Sequence, residues 1–436
     1  MFKNSAILRG AIASMAIQML NVALAFAGSV VLAQVLEPAR LGIYALVLSF
    51  ATVLTVPAQF GAPILALREV AAAKARDDYG VMKGLIRRLN QFVAVSSLVM
   101  ILVAAVAAVL TPWARSSPAT VVWGLALIPL VSLSALRGGV LRGLGAVAQG
   151  QWPDLALKPA VFLLGIGAVL LAGRALGPGE AMAMTALSSL AGLAVGWWMY
   201  QRIKPARLNA VEPVYRTRAW LAALAPMGVT GGAVLINGQI GVLLSGLGGT
   251  ETAGLYRVAL QTSLIAGLGY TAVIAALAPR FAAAHAQGNR EDLARTAAAG
   301  AVLATLGCLP FVAVFSLAGG PFMGLVFGAP FAAAGPALAV MTLAQLCNAM
   351  FGASSSALIM AGHERRAAVA FIAALVVHAG LGLALIPPFG VVGAAFAYLG
   401  QMAVMNLVLW LQARQLLGVD TGVWAAWRLF RPRRAP

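Results

Sequence analysis

The sequence predicts an all-α polytopic membrane protein: about 12 transmembrane helices in two six-helix bundles related by a parallel internal repeat. Three observations carry that prediction. The 436 residues are 61% hydrophobic, with a mean hydropathy of +0.92 and only 10% charged residues, against roughly 25% charged in soluble domains. The apolar residues come in blocks of about 20, the length at which an α-helix crosses ~30 Å of hydrocarbon. A β-barrel alternates over ~10 residues instead. Finally, the chain matches itself at nearly half its length.

Twelve blocks follow one another, near residues 11–35, 41–67, 91–112, 120–140, 154–173, 181–201, 219–247, 253–279, 296–318, 335–359, 367–388 and 391–413. The fourth and fifth have the least sharp edges. The opening MFKNSAILRG, with the triplet Ala25-Phe26-Ala27 further on, shares features with a signal peptide. Its apolar run continues to Val35, too long for an h-region, so it is read as the first span. Cys308 and Cys347 fall inside blocks without ligand spacing and read as packing residues.

The connections show which way the spans run. With the N-terminus inside, the cytoplasmic segments hold 26 of the 30 lysines and arginines, among them Arg68, Lys74, Arg76, Arg137, Arg142, Lys158 and Arg280; only Arg40, Arg115, Arg174 and Arg257 lie outside. This is the positive-inside bias, and it places both termini in the cytoplasm. The formal net charge of +18 therefore reports topology and contact with anionic membrane lipids, not a nucleic-acid partner.

At an offset of 212 residues, Gly42 falls on Gly254, Tyr44 on Tyr256, Arg68 on Arg280, Ala66 on Ala278 and Ala71-Ala72 on Ala283-Ala284. Spans 1 and 2 thus correspond to spans 7 and 8, a parallel repeat about an axis along the membrane normal. The polar stretch QRIKPARLNAVEPVYRTRAW separates the halves. It divides the chain into an N-terminal bundle (1–201), a cytoplasmic linker (202–218), a C-terminal bundle (219–413) and a basic cytoplasmic tail (414–436). The tail mixes Trp424, Trp427 and Phe430 with arginines, as an interfacial amphipathic segment does. Pro57, Gln59, Gly61 and Pro63 in span 2, Pro129 in span 4, Pro159 in span 5 and Pro226 in span 7 interrupt hydrogen-bond ladders, and such breaks suit a moving transporter.

The run GSVVLAQVLEPARLGIYALVLSF, Gly28 to Phe50, resembles the first helical hairpin of the bacterial polysaccharide (lipid-linked oligosaccharide) flippase family of the multidrug/oligosaccharidyl-lipid/polysaccharide exporter superfamily. Leu36, Pro38, Gly42 and Tyr44 fill the pattern L-x-P-x-x-x-G-x-Y. The LRGLG turn at Leu141–Gly145, the AGLYRVALQ start of span 8 and the GNREDLAR loop at Gly288–Arg295 are similar too. The resemblance implies alternating access that moves a polyprenyl-diphosphate-linked glycan from the cytoplasmic to the periplasmic leaflet of the inner membrane, with a polysaccharide polymerase as a possible partner. Members that flip the peptidoglycan precursor carry arginines within the first helix; here that helix holds Gln18, Asn21 and Gln34 and no charge after Arg9. That points to exopolysaccharide, capsule or the O-antigen of lipopolysaccharide.

The twelve acidic residues read as loop or block-end residues, Asp154 among them. A cation exporter wants a carboxylate at membrane depth, so a multidrug antiporter is the alternative and a neutral-to-positive cavity the expectation. Candidate substrate contacts are Gln18 and Asn21 on span 1, Asn237 and Gln239 on span 7, and Gln261 on span 8, each with interhelical hydrogen bonding as the competing role. Arg257 lies about one turn below the outer surface, where it either snorkels or meets cargo. Arg68 and Arg280, repeat mates at the cytoplasmic ends of spans 2 and 8, are either topological anchors or a collar for the diphosphate. His378 in span 11 is read first as a packing histidine. The pattern calls for no cofactor and no catalytic cluster: Asp77-Asp78 and Glu291-Asp292, with only His285 nearby, are solvated loop charges rather than an enzyme's site.

Overall fold

The computed structural model describes residues 2–110, 115, 117–173, 175–271, 273, 277 and 290–430. Arg280, His285, Arg174, the Gly288-Asn289 start of the GNREDLAR loop, the repeat positions Ala278 and Ala283-Ala284, and the tail residues Arg431, Arg433 and Arg434 lie outside the described residues.

Helix α1, Phe2–Val35, gives way to α2, Pro38–Gln59, at Glu37, whose backbone is extended (φ −61°, ψ 156°) because the following proline disfavours helical geometry there. Span 2 is two helices. After Pro57, the chain takes left-handed geometry at Phe60 (φ 32°) and Gly61 (φ 80°) and resumes as α3, Ala62–Ala75, with Pro63 in its first turn. Helix α4, Tyr79–Leu110, turns Val95, Leu98, Leu102, Val106 and Val109 outward at three- and four-residue spacing, each more than half exposed. An exposed stripe of this kind is a lipid face.

The long α5, Pro118–Gly143, continues through Pro129 and is packed by α2, α3, α4 and α8, Pro178–Ile203. Between α5 and α8 runs a single 25-residue apolar span, Val147–Leu171, built from α6 (Val147–Trp152), a π-helical turn (Pro153–Leu157) and α7 (Lys158–Leu171). The π turn closes with Lys158 N–H donating to the Pro153 carbonyl, so a proline sits mid-span without ending the helix. A short α9, Arg207–Ala210, precedes α10, Thr217–Ser245, which runs through Pro226. Leu65, Met82, Leu85, Leu136, Val140 and Trp220 form the core that ties α3, α4, α5 and α10 together.

Later in the chain come α11, Thr250–Ala266; α12, Arg290–Phe327, kinked at Ala318; α13, Gly335–Phe351; α14, Ser354–Met360; and α15, Glu364–Leu417. A straight helix of 54 residues would be about 80 Å long, far more than one bilayer. It is two helices folded at Gly390 (φ 53°, ψ −130°), just after Pro387-Pro388, where Gly393 lies against the Leu385 carbonyl. The described residues hold ten helices long and apolar enough to cross a membrane. The last of these folds into two at Gly390, and α11, at the place of the expected eighth span, ends at Ala266 before the residues outside the description. No strand occurs among the described residues. Beyond α15, Asp420 accepts from the indole N–H groups of Trp410 (2.8 Å) and Trp424 (2.9 Å), fixing the short 3-10 segment Val423–Phe430, from which Trp424 and Trp427 project outward.

Contacts group the chain into two units, Met1–Gln239 and Ile240–Pro436. The repeat mates are buried each within its own unit. Tyr44 shares a hydrogen bond with Thr185 Oγ1 (3.0 Å), and Tyr256 packs against Gly241 and near His378.

Candidate functional site

Within the first unit, three interrupted segments meet around a cavity of ≈360 Å³: the α2–α3 break, the π turn, and α10 beyond Pro226, with α5 as the fourth wall. Glycine makes that convergence possible. Gly61 needs its left-handed backbone, and a Cβ there would stand 2.6 Å from the backbone nitrogen of Gly228. Across the cavity a Cβ on Gly138 would meet the Gly150 carbonyl at 2.7 Å. Much of the wall is therefore bare backbone, and broken helices with freed peptide groups are how membrane carriers build polar sites at depth.

Polar side chains complete the lining. Gln59 projects a buried Oε1 that has no hydrogen-bond partner. Gln151 Oε1 accepts from Ser14 on α1 at 2.6 Å. Asp154 Oδ1 accepts from Ser134 on α5 at 2.8 Å. Arg142 donates through Nε to the Gly138 carbonyl of its own helix (3.2 Å) and lines the cavity together with Asp154. Lys158, one turn beyond Asp154, joins Arg142 in electrostatic interaction with that carboxylate, yet no direct ion pair links Asp154 to either cation among the described residues.

Behind this wall stands Arg137. It is 3% exposed. Its guanidinium carbon lies 4.4 Å from the ring centroid of Trp197 and 4.5 Å from that of Tyr200, both on α8, so two aromatic faces hold the charge, a contact worth ~2 kcal/mol when desolvated. Nη2 reaches Asn90 Oδ1 at 3.4 Å, while Nε and Nη1 have no hydrogen-bond partner. A buried cation with unmatched donors is costly, and the two aromatic faces and Asn90 offset part of that cost.

The sequence reading placed Arg137, Arg142 and Lys158 among cytoplasmic loop charges and Asp154 at a block edge. The structure carries α5 on to Gly143 and starts the next span at Val147, so all four belong to helical spans. Asp154 lies about 10 Å inside its span. The available signal was SALRGGVLRG itself, since a cation beside paired glycines sits where helices approach closely.

The residues singled out from sequence fall elsewhere, and none of the seven described ones lines this cavity. Gln18 is exposed and Asn21 half-buried on α1. Asn237 donates to the Ala233 carbonyl of its own helix (2.8 Å). Gln239 Oε1 accepts from Ser49 Oγ (2.9 Å), a bond between α10 and α2. Arg257 and Gln261 are half-buried on α11 of the second unit. Arg68 is exposed and paired with its neighbour Glu69 at 3.0 Å, and Arg280 lies outside the described residues. In the second unit, His378, Tyr256, Tyr398, Gln345 and Gln401 are all buried, and Gln345 Nε2 donates to the Tyr398 oxygen at 3.1 Å.

The fold has solved counterparts. An inward-facing multidrug-resistance MATE-family transporter of the MOP superfamily matches with a TM-score of 0.75 at 14% identity, over 94% of this chain and 98% of the other. The lipid II flippase MurJ, in an inward closed conformation, matches at 0.72 and 11% identity, over 93% and 87%. A MOP-superfamily transporter from Pyrococcus furiosus, described as having a binding pocket of reversed polarity, matches at 0.62 and 17% identity, over 95% of both chains. At these identities the likeness is one of fold. No curated protein sequence matches the chain. Residues 7–285 match the model of the polysaccharide biosynthesis protein family, well over half of the sequence, and the chain belongs to that family.

Proposed function

We propose that the protein is a flippase that moves a polyprenyl-diphosphate-linked oligosaccharide from the cytoplasmic to the periplasmic leaflet of the bacterial inner membrane, by alternating access between bundles 1–201 and 219–413, for exopolysaccharide, capsule or O-antigen assembly. Both termini are cytoplasmic in this reading, and a polymerase on the far side consumes the product. The observation that carries it is the charge of the first unit's interior: Arg137, Arg142 and Lys158 against the single carboxylate Asp154. The lining of the glycine-walled cavity carries one charge of each sign, Arg142 and Asp154; Arg137 and Lys158, standing behind it, make the surroundings net positive, which suits a diphosphate, and in this reading cargo gives the unmatched Arg137 donors an anionic partner. Arg257, Gln261, Asn237, Gln239, Asn21 and Gln18 serve as further contacts along the path, and Arg68 with Arg280 as a collar at its cytoplasmic mouth.

The direction of transport follows from charge. Two negative charges leaving a negative interior gain about 4.6 kcal/mol per 100 mV, at ~2.3 kcal/mol for each. Reconstituted protein in liposomes is expected to flip a labelled lipid-linked oligosaccharide faster under an inside-negative potential. Flipping that ignores the potential and follows only a proton or sodium gradient overturns potential-driven transport. Multidrug exchange is the second reading, and Asp154 favours it, because the sequence had placed no carboxylate within a span. The surrounding excess of cations disfavours a cationic drug at the same place; drug sensitivity of a deletion strain with intact surface polysaccharide would reverse the order.

A further inference from the structure

The same cavity holds an anion of its own. Asp154 sits on the π turn with its Oδ1 anchored by the Ser134 hydroxyl at 2.8 Å, and it shares the lining with Arg142 while Lys158 stands one turn further on. Neither cation is clamped to it, since no direct ion pair joins them among the described residues, and Arg142 spends its Nε on a backbone carbonyl. An anion entering this space meets Arg142 in the wall, with Lys158 one turn beyond Asp154 on the same span; both cations are attracted to Asp154 but not committed to it, and the anion meets the carboxylate as a like charge.

Resting on the flippase reading, we propose that Asp154 is the resident counter-ion of the cavity and that a phosphate-class anion competes with it for Arg142 and Lys158. With the site empty, Asp154 keeps two desolvated cations from standing alone, which lowers the cost of their burial. With a phosphate group present, the cations turn to the ligand, and the repulsion from Asp154 weakens the grip. A carrier must release what it binds, and this carboxylate limits affinity so that cargo departs.

The test uses the full-length protein in phosphatidylcholine nanodiscs, with inorganic pyrophosphate as the probe and phosphorus NMR titration as the readout. Asp154→Asn is expected to bind pyrophosphate about tenfold more tightly than wild type, in line with the effect of one close charge, and Arg142→Gln about tenfold more weakly. Unchanged or weaker binding by Asp154→Asn overturns the proposal, because the carboxylate would then be organising the site, not competing for it. Asp154→Ser repeats the test with a different neutral side chain should Asp154→Asn not give monodisperse protein. A parallel titration with phosphatidylglycerol in the discs identifies the source of the anion. Suppressed pyrophosphate binding in wild type, deepened in Asp154→Asn, means that a lipid headgroup occupies the site; binding indifferent to the lipid assigns it to a diphosphate. Oligosaccharide flipping by wild type is measured separately, so a failed flippase reading and a failed competition give different results.

Discussion

The two units bury polar chemistry in opposite ways. The first encloses charge: Arg137 is the one fully buried cation among the described residues, and Arg142, Lys158 and Asp154 lie a few ångströms from bare glycine backbone. Among its described residues the second encloses neutral groups, with His378, Tyr256, Tyr398, Gln345, Gln401 and Asn406 all buried. Shared residues such as Tyr44 and Tyr256 keep a common frame in both halves, so the frame does not require the charges. Their placement in one unit, beside broken helices, is where the two units differ. Four substitutions test that contrast.

The largest effect is expected at Arg137. Replacing buried ion pairs by apolar side chains of similar volume is often neutral or stabilising by about 1–4 kcal/mol, and removal of Arg137 leaves no carboxylate uncompensated behind it, since it has no ion pair among the described residues. Arg137→Met is therefore expected to unfold at or above the wild-type temperature while its flipping rate falls about tenfold or more, the consequence of losing a charge-assisted hydrogen bond worth ~1.5–3 kcal/mol. Thermal unfolding and liposome flipping measured on one preparation separate the two. A variant that unfolds early and flips normally when folded would make Arg137 a structural cross-brace between α5 and α8, and the contrast between the units would lose its functional meaning.

Next comes Gly61, where the cavity depends on geometry rather than charge. Gly61→Val puts a branched side chain into left-handed backbone, at about 1–3 kcal/mol, and drives its Cβ into the Met227–Gly228 backbone. A clear drop in thermal stability is expected, with loss of flipping in the protein that survives. Unchanged stability would mean that α3 and α10 stand further apart than described.

A smaller change probes the neutral cluster. Tyr398→Phe removes the oxygen that accepts from Gln345, and interhelical hydrogen bonds in membranes average ~0.6 kcal/mol with a maximum near 1.7. Stability should fall by about that much and flipping should stay within about twofold. A flipping defect as large as that of Arg137→Met would move functional polarity into the second unit and break the comparison.

The fold was legible because hydrophobicity in a membrane protein is written in blocks. The gap between the blocks 367–388 and 391–413 falls at the turn inside α15, and Pro57 with Gly61 marked the α2–α3 break, since each of these two residues removes a specific piece of helical backbone. The site was less legible, for two physical reasons. The positive-inside rule assigns a basic residue to the nearest helix end, and Arg137 lies only about 9 Å from the end of α5, so burial and anchoring look alike in sequence. Pro153 hid Asp154 in another way: proline normally starts or stops a helix, whereas a π turn lets this one sit inside a span. Gln239 was read as a candidate substrate contact with interhelical bonding as the competing role; its oxygen accepts from Ser49, a partner that carries no periodic signal.

Arg68 gives the smallest expected effect and the sharpest control. It carries the same charge as Arg137 and also belongs to the first unit, yet it is exposed and bonded to the adjacent Glu69 at 3.0–3.1 Å. Exposed pairs contribute little, typically under about 1 kcal/mol, so Arg68→Gln should leave thermal stability unchanged within error. Its flipping rate distinguishes the two roles the sequence left open. A topological anchor is one of several basic residues on that side, and its loss is absorbed by Lys74 and Arg76 nearby; a diphosphate collar is not redundant, and its loss slows uptake most at low cargo density. Flipping measured across a range of lipid-linked oligosaccharide densities is expected to match wild type throughout. A defect confined to low density would extend the charged path from the buried cavity to the exposed surface at Arg68, and depth alone would no longer separate functional arginines from anchoring ones.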